Sequence, residues 1–115
     1  MVSTPSLKPQ WFQILLAVAD HDLHGLGIMK EVLEQTDGQM RLWPAMLYGS
    51  LKKMVDEGLV EEREGPTGPG ADSDRRRFYG ISQAGRASLA AEVQRLARYV
   101  KVAEAKDIVG DSVST

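Results

Sequence analysis

The chain has 115 residues, of which 43% are hydrophobic and 26% charged, enough for one globular domain with a modest core and too few for two ordinary domains. It has no cysteine, which excludes disulfides, thiolate metal sites and a cysteine nucleophile. A formal net charge of −2 argues against a non-specific nucleic-acid coat, so any nucleic-acid site must be local.

Pro9 suits the first turn of a helix, and the apolar positions after it predict a helix from about Pro9 to Ala19. Trp11, Leu15 and Val18 form one stripe and Phe12, Leu16 and Ala19 another, so this helix should pack on two sides. Its run ILLAVA has neither a basic leader nor a cleavage site and is far too short to cross a bilayer, so it reads as neither signal peptide nor membrane span. A cytoplasmic, nucleoid-associated protein is the expectation. Asp20 to Leu23 break the pattern, and Leu26, Met29, Val32 and Leu33 then recur at helical spacing up to the Asp37-Gly38 turn signal, predicting a second helix. His21 and His24 with Asp20 and Asp22 are two imidazoles across a helix boundary without a further ligand, which favours loop or capping roles. No metal or other cofactor is expected.

Pro44 offers a third helix start; Leu47, Leu51, Met54 and Val55 stack on one face, and Gly58 suits the position just past the end. LVEERE and RRRFYGIS then read as two strands flanking GPTGPGADSD, a hairpin in which alternation turns Phe78 inward. GPTGPG has no following GK[ST] and no G-x-S-x-G elbow is present, so an enzyme is not expected. Ser82 is an N-cap candidate for a last helix that reaches about Ile108, with Gly110 available to stop it and residues 110–115 as a disordered tail.

Within that last helix Leu89, Val93, Leu96, Val100 and Ala103 alternate at spacings of four and three, the seam of a helix pair. A second copy of the chain is the expected partner, with Trp11 and Leu15 of the first helix joining Leu89, Val93, Leu96 and Val100 in the dimer interface; the alternative packs the seam on its own domain. The order of elements predicts a mostly α protein with a small β-hairpin: a winged helix-turn-helix over residues 7–82 and a C-terminal dimerisation helix over 83–109.

In a helix-turn-helix the second helix of the motif lies in the major groove of double-stranded DNA. Steps of 100° turn Ala45, Gly49, Lys52, Lys53 and Asp56 outward on the third helix and put Met46 and Tyr48 on its flanks. Small residues let the helix approach a groove, lysines meet phosphates and a tyrosine hydroxyl can donate to phosphate or base. Arg75, Arg76 and Arg77 add charge beside the wing tip, in reach of backbone or a narrow minor groove. A rival reading is an interaction module that sequesters another regulator, favoured by net acidity and by Asp56, Glu57, Glu61 and Glu62.

QILLAVA, LHGLGIMKEV, MLYGSLKKMVDEGLVEE and RRRFYGISQAGRASL, in that order over roughly residues 10–90, resemble the PadR family of bacterial transcriptional regulators, in its compact branch with a single C-terminal helix. The resemblance implies a homodimer on a roughly palindromic operator, repressing transcription until a small hydrophobic or aromatic ligand binds near the dimer interface. It matches Tyr48 to a tyrosine of the family's recognition helix, Arg75 to Arg77 to basic wing residues, and Ser82 to Gly85 to the turn into the last helix. Leu26, Met46 and Gly49 depart from it, standing where relatives commonly carry tyrosine, threonine and proline. Trp11, Phe12 and Tyr99 are the aromatic candidates for lining an interfacial ligand pocket.

Overall fold

The computed structural model describes residues 7–64 and 77–108. Three helices lead: α1 (Pro9–Ala17), α2 (Gly25–Gln35) and α3 (Pro44–Asp56), with strand β1 (Leu23–His24) between the first two. Strands β2 (Val60–Arg63) and β3 (Phe78–Ile81) follow, and α4 (Gln83–Ala105) closes the chain. The sheet is antiparallel in the order β1-β3-β2. The architecture is a winged helix-turn-helix extended by a long C-terminal helix.

Local chemistry sets each boundary. Pro9 and Pro44 occupy the first helical turns of α1 and α3, where a missing N–H costs nothing. His24 Nδ1 caps α2 by accepting the Gly27 N–H at 3.0 Å, the capping role its position favoured. The end of α2 turns on Asp37, whose positive φ of 53° lets Gly38 N–H reach the Leu33 carbonyl at 2.8 Å. Gly58, at φ 77°, does the same for α3, returning Leu59 N–H to the Met54 carbonyl at 2.9 Å.

Ile14, Leu15, Ile28, Val32, Leu47, Leu51 and Met54 fill the centre of the core, and Tyr79, Ile81 and Leu89 close it from the sheet and α4. The junction between wing and α4 is tightly built. Ser82 Oγ accepts the Gly85 N–H at 2.9 Å and donates back toward the carbonyls of Gly58 and Leu59. A Cβ on Gly85 would collide with the Leu59 carbonyl oxygen, so glycine is required there by space. Gly85→Ala, which raises helix propensity, is nevertheless expected to lower stability by about 1–3 kcal/mol, read as a reduced urea midpoint.

Several expectations need correcting. The first helix ends at Ala17, with Val18 as its cap. The hairpin has a third strand, because Leu23 and His24 pair with Tyr79 and Phe78, and two residues are too few to show any alternation in sequence. Tyr79 rather than Phe78 points inward with Ile81; Phe78 is half-buried and meets the His24 ring edge-on at 5.4 Å. Leu26 is 56% exposed despite its helical spacing with Met29 and Val32, and Ile28 is the α2 residue that fills the core. The last helix ends at Ala105, where Asp107 takes φ 60° and Ile108 N–H returns to the Ala103 carbonyl. Gly110, the tail and the whole GPTGPGADSD tip lie outside the described residues, as do Arg75 and Arg76.

Candidate nucleic-acid interface

Helix α3 buries Leu47, Ser50, Leu51 and Met54 and leaves Ala45, Met46, Tyr48, Gly49, Lys52, Lys53 and Asp56 exposed. A Cβ on Gly49 would meet nothing within 4 Å, so the fold itself does not need glycine there. Neither Lys52 nor Lys53 forms an ion pair among the described residues. Tyr48 is placed differently from its neighbours: its hydroxyl lies against Gly25, leaving no room there for a Cβ. Gly25 thereby lets α3 lean onto the start of α2, a role its place beside His24 gave no reason to assign.

At the wing, Arg77 Nη1 pairs with Glu62 Oε2 at 3.0 Å across the β2–β3 ladder. Arg63 bridges Asp22 at 2.8 Å and Glu61 at 2.7 Å, and the hydrogen bond it donates to Glu61, followed by the charge of Asp22, raises its already high pKa. A Cβ on Gly80 would strike this Arg63–Asp22 pair, which ties the wing to the loop before β1. Burial, and then the nearby Glu62 carboxylate, raises the Tyr79 hydroxyl above its ordinary pKa of 10.0. Three of the acids nearest the wing are thus engaged by arginines. Among the described residues no group of three or more possible ligands could hold a metal, and no helix is long and apolar enough to cross a membrane.

Two exposed residues beside α3 carry no signal in the periodicity. Trp43, the N-cap of α3, is 60% exposed with the Arg41 guanidinium 5.4 Å from its ring centre. With Leu26, Met29, Leu33 and Pro44 it lines a groove of about 360 Å³ between α2 and the start of α3, rimmed by Lys30 and Arg41. The Trp43-Pro44 pair, an aromatic immediately before a helix start, was the available sign.

The residues assigned to a dimer interface divide. Trp11, Leu15 and Leu89 are buried in the protomer's own core, Leu15 completely, and therefore offer a partner no free surface. The inward face of α4 continues through Gly85 and Leu89 to Glu92, a carboxylate held at 3.0 Å by Arg95, so the apolar seam rotates outward beyond its first residue. Val93, Leu96 and Val100 are exposed, as are Tyr99 and Val102. Of the proposed pocket residues, Trp11 is buried, Phe12 packs half-buried against the core and Tyr99 is exposed on α4; none lines the groove beside α3.

Residues 14–91 match the model of the transcriptional regulator PadR-like family. The chain is similar in structure to a PadR family transcription regulator of Clostridium difficile at 22% identity (TM-score 0.72, 84% of this chain and 96% of that one). It is similar to a transcriptional regulator of Clostridium thermocellum at 20% identity (TM-score 0.67, 87% and 89%). It is also similar to Bacillus subtilis PadR, seen in complex with operator DNA, at 21% identity (TM-score 0.63, 75% and 48%). No curated protein matches the sequence.

Proposed function

We propose that this chain, which belongs to the transcriptional regulator PadR-like family, is a homodimeric, sequence-specific DNA-binding protein that represses transcription and is released by a small hydrophobic or aromatic ligand. The observation that carries the DNA reading is the outward face of α3: small at Ala45 and Gly49, basic at Lys52 and Lys53, with a glycine the fold has no need of. Similarity to a regulator captured on its operator supports the same reading. The exposed Val93, Leu96 and Val100 on α4 support a dimer, which would carry two recognition helices about 34 Å apart to successive major grooves. Repression and ligand release rest on the family resemblance. A ligand could act only by binding one arrangement of the dimer better than the other.

The rival interaction module loses part of its support, since Glu61 and Glu62 are each engaged by an arginine. Those pairs also bear on DNA. Arg77 must share itself between Glu62 and phosphate, and an exposed pair of this kind is weak enough to exchange. Glu62→Gln is therefore expected to tighten operator binding by about twofold to fivefold, mostly at low salt.

The test is binding of the purified protein to the duplex upstream of its own coding region, followed by fluorescence anisotropy at several salt concentrations against a scrambled duplex. Lys52→Ala should weaken binding on both duplexes and reduce the salt slope by about one for each phosphate no longer neutralised, hence by about two for a dimer. A slope and affinity unchanged in a folded Lys52→Ala protein would show that this face does not meet DNA.

A further inference from the structure

The surface that would enter the groove is apolar where it leads and basic only behind. The side chains exposed from residue 43 to 46 are Trp43, Pro44, Ala45 and Met46, with Leu26 of α2 beside them, and the lysines stand about two turns farther along α3. Hydrogen-bonding capacity in this stretch is slight. It amounts to the Trp43 indole N–H, the weak thioether of Met46 and the Tyr48 hydroxyl, which lies against Gly25 instead of standing out from the helix.

None of the side chains of residues 43–48 can form the bidentate pairs that read guanine or adenine, which call for Arg, Lys, Asn or Gln; the nearest such group, the Arg41 guanidinium, lies over the Trp43 ring, 5.4 Å from its centre. The major groove has one apolar feature, the C5 methyl group of thymine, and polar base edges pressed against an apolar surface would lose water with nothing in exchange. Resting on the DNA reading above, we infer that the start of α3 reads thymine methyl groups: Ala45 and Met46 pack onto them, and Trp43 and Leu26 close the rim. Arg41, 5.4 Å from the centre of the Trp43 ring, holds the indole at that rim. The preferred half-site is accordingly thymine-bearing beneath the first turn of α3, and Lys52 and Lys53 supply affinity without base preference.

Selection of binding sequences from a randomised duplex library, followed by anisotropy with each thymine of the selected half-site replaced singly by uracil, tests this. Uracil removes only the methyl group and keeps every hydrogen-bonding edge. At two or more thymines per half-site the replacement should weaken binding about threefold to fourfold, the ratio for uncovering a group of that size. The penalty should shrink toward none in Met46→Ala or Trp43→Ala protein, whose exposed positions leave the fold intact by circular dichroism. Uracil tolerated everywhere in a duplex still bound specifically, or a half-site lacking thymine, would overturn the methyl reading and leave DNA binding standing. Failure to enrich any sequence over scrambled duplex would overturn both together.

Discussion

Leu96→Glu is expected to leave the protein folded but monomeric, and to lower its affinity for an operator by about a hundredfold or more. Leu96 is 41% exposed on α4, so a charge there meets water in the isolated protomer and costs the core nothing. In the proposed dimer it would instead face the apolar seam of a second copy, between Val93 and Val100, where an unpaired carboxylate is not tolerated. Losing the partner turns a two-handed grip into a one-handed one, and linkage of two sites is worth about 10²–10⁴ in affinity. Sedimentation velocity and anisotropy on the same sample check the two effects together. Leu89→Glu supplies the contrast, because that side chain is buried in the protomer's own core and its replacement should unfold the chain outright. A Leu96→Glu protein that remains dimeric would remove α4 from the interface.

Gly49→Ala separates fold from function along a different axis. Alanine is favoured over glycine in a helix interior by about 1 kcal/mol, and a Cβ at this position meets nothing within 4 Å. The variant should accordingly be more stable than the parent by about 0.5–1 kcal/mol in thermal or urea unfolding. If α3 approaches a groove through this bare patch, the same methyl group holds the helix off the bases and the specific complex should weaken by about tenfold or more, with scrambled duplex little affected. A stabilised protein that binds as tightly as before would mean that Gly49 faces solvent in the complex.

How far the sequence reaches can be seen residue by residue. The third helix was legible at most positions: Leu47, Leu51 and Met54 are buried, Ala45, Gly49, Lys52 and Lys53 are exposed, and Gly58 turns the chain at its end, whereas Val55 is only half-buried and Ser50, which carried no signal, is buried. Periodicity works there because one face has no competing partner. It failed for Leu26, whose apolar character fits the α2 stripe but whose place at the first turn puts it outside the core. It failed also for β1, a strand of two residues, and for the choice between Phe78 and Tyr79, since adjacent aromatics leave the phase of a short strand undetermined. The α4 seam was legible as a pattern, yet spacing cannot say which neighbour covers it. Leu89 found its own protomer, and Glu92, unremarkable as a charge in sequence, occupies the inward position one turn on.

The junction at Ser82 and Gly85 makes α4 a lever. No slack separates the end of the sheet from the helix, because Ser82 is both the cap of α4 and a hydrogen-bond partner of the α3–β2 corner. With 23 residues the helix is about 34 Å long. A tilt of about 5° at its far end would then swing the wing and recognition helix by about 3 Å, the length of a hydrogen bond. In the proposed dimer, a disturbance too slight to dislodge the seam would thus suffice to throw both reading heads out of register with the duplex.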